Sequence, residues 1–314
     1  MNCPTLAIVA PCYNEAAALP NTAPAFMAKL RSLKASGAVG ADSFIMFVDD
    51  GSGDDTWEVI KSLHAGDPAF KGVSLSRNRG HQNALLAGLM EAKQTADVVI
   101  SADCDGQDDI EAMDAMLAEH AKGAEIVYAC RDNRETDTWF KRTTAELFYK
   151  LVRKLGGEVV FNHADYRLAT ARVLTELERF GEVNLFLRGM FPLVGFKSAK
   201  VYYTRKERVS GESHYPLAKM AGFAADGITS LSIRPLRLIT LFGAVVSLLA
   251  FVMLAWVVVS YIRGTVVPGW SSSVVCVCLF GGIQLVSLGV IGEYVGKTYL
   301  ESKRRPRYII GERI

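Results

Sequence analysis

From Leu238 to Ile262, and again from Val274 to Gly292, the chain carries no charged residue. A bilayer core needs about 20 apolar residues per helix. The first run meets that length comfortably and the second narrowly. A buried helical hairpin in a soluble protein would need such runs covered on every side, so both are read as membrane spans. Arg263 is the one charge in the connector, whereas Arg234 and Arg237 precede the first span. Lys297 and the cluster Lys303, Arg304, Arg305 and Arg307 follow the second. Positive flanks stay on the cytoplasmic side, so the expectation is a multi-pass protein of the inner (cytoplasmic) membrane with both termini inside. No basic region followed by a long apolar core opens the chain, and no cleaved signal is expected.

The remaining length fits one large α/β domain, because half of the 314 residues are hydrophobic. A net charge of +2 says little, but its distribution does more: basic residues crowd the C-terminus while acids punctuate the first half. That pattern argues against nucleic acid as a partner. Six cysteines, at 3, 12, 104, 130, 276 and 278, share no repeated spacing. Reduced thiols are a simpler reading than a zinc site or a disulfide framework.

Short apolar strands alternate with helical periodicity through the first half. Thr5 to Ala10, Phe44 to Val48, Val73 to Leu75, Val98 to Ile100 and Glu125 to Ala129 read as strands. Between them, Leu19, Phe26, Met27, Leu30 and Leu33 recur at helical spacing, as do Trp57, Ile60 and Leu63, then Leu85, Leu89 and Ala92, then Ile110, Met113 and Leu117. Such alternation predicts a largely parallel sheet covered on both faces. Further on, Thr138 to Leu155 reads as helical and Asp165 to Thr170 as a strand returning to the sheet edge. The stripe Leu217, Met220, Phe223, Ile228 and Leu231 fits either a helix lying along a bilayer surface or an ordinary core helix. The expected organisation is a cytoplasmic α/β domain over 1–214, an interfacial amphipathic helix over 215–235, a two-helix anchor over 236–298 and a basic tail over 299–314.

Acids gather where these strands stop. Open α/β sheets bind ligands outside the carboxyl ends of their strands, so Asp49-Asp50-Gly51-Ser52 and Asp103-Cys104-Asp105 can face one crevice. Asp103 and Asp105 are two apart, and in extended geometry they leave the same face and can converge on one cation. Oxygen-only ligands favour Mg2+ or Mn2+. Such an ion would neutralise a nucleotide-sugar diphosphate as its sugar bond breaks. Asp49 and Asp50 can accept hydrogen bonds from ribose or base, or can cap the following helix; one acid can do each. His81 fits a nucleotide contact, a helix cap or a packing role. Glu293 is expected to pair with Lys297 at helical spacing. Gly281, Gly282 and Gly289 allow close helix packing, compatible with a homo-oligomer.

Taken in order, Val9-Ala10-Pro11-Cys12-Tyr13-Asn14-Glu15, Val48-Asp49-Asp50-Gly51-Ser52, Ser76-Arg77-Asn78-Arg79-Gly80-His81 and Asp103-Cys104-Asp105-Gly106-Gln107 resemble family 2 glycosyltransferases. The two spans narrow the resemblance to polyprenyl-phosphate glycosyltransferases of the bactoprenol glucosyltransferase type, with dolichyl-phosphate mannose synthases as more distant relatives. The resemblance implies a GT-A fold with a Rossmann-like, mostly parallel sheet, and inverting transfer from a nucleotide sugar to a lipid phosphate. It further implies donor contacts at Pro11, Tyr13, Asn14, Glu15, Asp50, Arg77 and Asp103, and metal and diphosphate contacts at Asp105 and Gln107 with Asp103. Asp165, in Ala164-Asp165-Tyr166-Arg167-Leu168, matches the acidic position near the acceptor, which makes Asp103, Asp105 and Asp165 the candidate catalytic residues. Arg131, Arg205, Lys206, Arg208 and Ser213 match positions that hold phosphates. The basic ones make sense on charge alone, because a lipid monophosphate and a departing diphosphate both need compensation.

The expectation is therefore one hexose moved, glucose from UDP-glucose, onto undecaprenyl phosphate at the cytoplasmic leaflet of the bilayer. The neighbouring expectation is the same chemistry with GDP-mannose, UDP-N-acetylhexosamine or UDP-amino-arabinose. The chain lacks Q-x-x-R-W, the signature of processive synthases in the family, which disfavours polymer synthesis. A catalytically silent membrane scaffold, or a soluble nucleotidyltransferase, would be the reading from a different class.

Overall fold

The computed structural model describes residues 3–131, 163–183, 185–204, 234–264 and 269–314. The expected helix over 138–155, the amphipathic stripe from Leu217 to Leu231, and Arg205, Lys206, Arg208 and Ser213 lie outside the described residues.

Four strands form the heart of the sheet in the order β4-β1-β2-β3: β1 (Leu6–Cys12), β2 (Phe44–Asp49), β3 (Phe70–Leu75) and β4 (Val98–Ser101). All are parallel. Each is followed by a helix: α1 (Leu19–Ala35), α2 (Thr56–Gly66), α3 (His81–Ala92) and α4 (Ala112–Ala121). Every residue of β1 is buried, as a strand with helices over both faces requires. Leu6, Ile8 and Ala10 enter one core with Phe26, Leu30 and Met113, while Ala7 and Val9 enter the opposite core with Leu85, Leu86 and Leu89. The two-residue period of the strand produces that division. Gly88 lets α3 lie close on the sheet, since a Cβ there would stand 2.5 Å from Val9 Cγ1 and 2.6 Å from Val48 Cγ2.

The other side of the sheet departs from expectation. β5 (Ile126–Arg131), β6 (His163–Thr170) and β7 (Ser198–Tyr203) extend it in the order β7-β5-β6-β4. β6, expected at the sheet edge, is inserted between β4 and β5 and runs antiparallel to both. Pairing partners of a strand are long-range choices that its own residues do not encode, and Arg167, with no exposed surface, disguises β6 as a peripheral strand. The edge strand β7 was not anticipated; its burial alternates imperfectly. Two short helices, α5 (Ala171–Glu178) and α6 (Leu187–Leu193), cover this half. α5 is capped by the Thr170 hydroxyl, which accepts from Val173 N.

The uncharged runs lie within α7 (Arg234–Ile262) and α8 (Trp270–Ser302). Both are long and apolar enough to cross a membrane. Leu241, Leu248 and Phe251 on α7 and Val277, Leu285 and Val286 on α8 are open to the surroundings, as side chains in contact with lipid would be. Glu293 and Lys297 pair at 3.8 Å one turn apart. Residues 299–314 do not form a free tail. α8 continues to Ser302, and β8 (Ile310–Arg313) then pairs antiparallel with β3. Backbone bonds between Gly72 and Ile314 complete the pairing, and Trp57 Nε1 donates to Glu312 at 2.8 Å. The basic residues masked a strand too short to show an alternating pattern.

Candidate active site

Because β4, β1 and β2 are neighbours and point the same way, the loops that follow them open at one end of the sheet. Bonds between these loops fix their shape. Asn14, in left-handed backbone at φ 53°, receives Gly53 N on its side chain at 2.9 Å and donates its own N–H to Ser52 Oγ at 2.9 Å. Glu15 N donates to Thr56 Oγ1. Asn14 and Glu15, expected at the donor, thus also tie the first loop to the second, while Tyr13 is exposed and Pro11 is buried in β1.

Asp49 and Asp50 are both buried, and neither caps α2. Asp49 accepts from Ser52 N at 3.0 Å and Ser74 Oγ at 2.8 Å, which holds the turn. Gly51, at φ 63°, is required there because a Cβ would come within 2.5 Å of the Arg77 backbone. Asp50 accepts from Arg79 N at 2.7 Å and Gly80 N at 2.8 Å. Burial pushes the Asp50 carboxyl up while those two bonds hold it down. Each oxygen retains a lone pair, so Asp50 can shape the loop after β3 and still meet a ligand. Arg77 in that loop is exposed.

A second group surrounds Asp103. His81 Nε2 stands 3.8 Å from Asp103 Oδ1 and 3.7 Å from Asp165 Oδ2. β6, by pairing with β4, brings Asp165 beside the strand end that carries Asp103. Asp165 receives Arg188 on both oxygens, at 3.3 and 2.9 Å, and also the Arg167 guanidinium. Burial alone would raise its carboxyl, but Arg188, then His81 and Arg167, hold it well below the usual range. Asp103 goes the opposite way: burial, then the Asp108 carboxylate, push it up to about 6 against the pull of His81. For His81, burial works against the proton, but Asp165 and Asp103 outweigh it and its pKa is raised. Arg131 reaches the same cluster through Tyr203. Its Nε donates to Tyr203 Oη at 3.5 Å, and Tyr203 donates to Asp108 at 2.6 Å.

Asp105 Oδ1 accepts from Gln107 N at 3.0 Å, a local turn closed by Gly106 at φ 70°. Among the described residues no three His, Cys, Asp or Glu side chains form a ready metal cage. Asp103 and Asp105 nevertheless suit a small divalent ion, which is commonly bound by one or two carboxylates plus substrate phosphates. Asp108, then Asp165 and Asp105, repel charge on the Asp103 carboxylate, and a cation bound there would oppose that repulsion. The five described cysteines are free thiols.

The geometry brings together Asp103, Asp165 and Arg131, places Asp105 and Gln107 on the adjoining turn, and sets Asp50 two strands away. Reading by sequence missed Arg188, Asp108 and Tyr203 and left His81 undecided. Arg167, two residues from Asp165 and so on its face of the strand, could have been found by spacing. Arg188 and Tyr203 carry no local signal.

Comparison with known proteins gives the family. The model of glycosyl transferase family 2 matches residues 7–177. An uncharacterised glycosyltransferase of Bacillus subtilis (strain 168), YkoT, is 46% identical over 98% of this chain and 91% of its own. The prophage bactoprenol glucosyl transferase homolog of Escherichia coli (strain K12) is 38% identical over 97% of this chain and 98% of its own. The bactoprenol glucosyl transferase of Shigella phage SfX is also 38% identical, over 98% of this chain and 99% of its own. With a mostly parallel sheet, acids at its strand ends and a family match through β6 into α5, the chain belongs to glycosyl transferase family 2.

Proposed function

We propose that this enzyme moves one glucose from UDP-glucose to the phosphate of undecaprenyl phosphate at the cytoplasmic face of the membrane. The observation that carries the reading is the union, in one chain, of the acid-lined crevice with two long apolar helices that expose large apolar side chains such as Leu248, Phe251, Val277 and Leu285. Relatives named bactoprenol glucosyl transferase, similar from end to end, support it. An acceptor with a long hydrocarbon tail stays in the bilayer, and an anchored enzyme meets it at high local concentration.

In this reading a phosphate oxygen of the lipid attacks the anomeric carbon opposite UDP. The bond to the donor diphosphate breaks with inversion, leaving a β-linked sugar phosphate. Asp105 and Asp103, with Gln107, would hold a divalent ion, Mg2+ or Mn2+, which when bound would neutralise charge on the departing diphosphate. Asp50 and Arg77 hold the nucleotide with the loop of Pro11, Tyr13, Asn14 and Glu15. Arg131 is assigned to the phosphates, and Arg205, Lys206, Arg208 and Ser213 share that role by their match to the family's phosphate-holding positions. A phosphate acceptor is ionised at neutral pH and needs little help from a base. Asp165, kept ionised by two arginines, orients His81 and the acceptor rather than removing a proton. α7 and α8 cross the membrane with both flanks inside.

Membranes containing the protein, given radiolabelled UDP-glucose, a divalent cation and undecaprenyl phosphate, are expected to yield labelled glycolipid. Asp105→Ala is expected to abolish labelling while the protein still inserts; equal labelling by that variant would remove the metal assignment. A panel of donors identifies the sugar, and labelling from GDP-mannose alone would replace glucose.

A further inference from the structure

Glu301 sits in the last turn of α8, where the negative end of a helix disfavours a carboxylate. A second acid, Glu182, lies near enough that burial and then Glu301 raise its pKa. Both Glu301 oxygens accept from Val183 N at 2.8 Å, which ties the last turn of α8 to the segment after α5. Arg307, just beyond the helix, donates to the Phe180 carbonyl. The end of α8 and the residues beyond it thus hold Phe180 and Val183, which follow α5. The start of α6 is held by Gln82, whose Oε1 accepts from Leu187 N at 3.0 Å. The next residue is Arg188, which clamps Asp165.

Resting on the reading of the Asp103–Asp165 crevice as the transfer site, we infer that Glu301 is a positioning residue: it fixes Arg188, and through it Asp165, from the end of the second membrane helix. The helix that meets the acceptor lipid is therefore also a support of the site that uses it. Substrate-positioning groups are sensitive to small displacements, because an error of 1 Å can cost about a hundredfold in rate.

The test uses full-length protein in lipid nanodiscs and compares Glu301→Ala, Glu301→Gln and, as a control for a loosened C-terminus, Trp57→Phe, which loses the bond to Glu312. Hydrogen exchange of peptides covering residues 185–191 is expected to quicken in Glu301→Ala, to recover in Glu301→Gln, whose amide oxygen still accepts from Val183 N, and to stay unchanged in Trp57→Phe. Transfer per folded molecule is expected to fall about tenfold in Glu301→Ala with KM for UDP-glucose unchanged, and to return within about threefold in Glu301→Gln. Unaltered exchange at 185–191 in Glu301→Ala, or altered exchange with full transfer, overturns the inference. So does an equal effect of Trp57→Phe, which marks a general loosening. If the wild-type protein transfers no sugar, the proposed donor and acceptor fail, and exchange alone then decides whether Glu301 holds the Arg188 segment.

Discussion

At the scale of residues, the arginines around Asp165 set its role. Arg167 is fully enclosed, with its guanidinium carbon 4.5 Å from the centre of the Phe191 ring, and Asp165 is its one described carboxylate partner. Removing one member of a buried pair leaves an uncompensated charge and costs about 3–5 kcal/mol. Asp165→Asn is therefore expected to lower stability by that order, read as a shift in thermal melting in detergent, as well as to reduce transfer. The pH dependence follows from the sign of the shift. A carboxyl whose folded pKa is depressed contributes stability above its unfolded pKa and loses it as pH falls through the folded value. The melting difference between wild type and Asp165→Asn should be full at pH 6 and shrink as pH drops below about 4. A difference that does not vary with pH would show that Asp165 is not ionised in the fold.

At the scale of elements, close contacts decide what can be substituted. Gly88 is where α3 touches β1 and β2, so Gly88→Ala forces the helix off the sheet. Overpacking of this kind costs about 1–3 kcal/mol, and since α3 begins with His81, transfer should fall together with melting temperature. β8 covers the β3 edge, a row of backbone groups otherwise available for pairing with another chain. Deleting residues 310–314 is expected to lower the melting temperature and to shift the protein toward larger species on size exclusion. An unchanged elution profile and melting curve would show that β8 adds nothing to the edge.

At the scale of the whole molecule, the two apolar helices and the catalytic domain are joined, besides the chain entering α7, by Glu301, Arg307 and β8 after α8 among the described residues. A chain ended at Arg234 would lose the anchor, the Val183 contact and the edge strand together. It is expected in the soluble fraction but with a lower melting temperature and no lipid glycosylation. Full activity toward undecaprenyl phosphate in detergent from that fragment would remove the anchor from the mechanism.

The sequence by itself determined what depends on local period and local chemistry. Apolar runs and their two-residue or 3.6-residue repeats are properties of consecutive residues, so β1 to β5, α1 to α4 and both apolar helices were legible. Motif acids were legible too, because Asp50, Asp103 and Asp105 stand where strands stop. Tertiary structure alone decided the insertion of β6 between β4 and β5, the return of β8 to the far edge, and the arrival of Arg188 and His81 at Asp165. Those outcomes rest on pairing and ion contacts between residues dozens to hundreds of positions apart. Their energy depends on distances that exist only once the sheet has formed, and no window of sequence contains them.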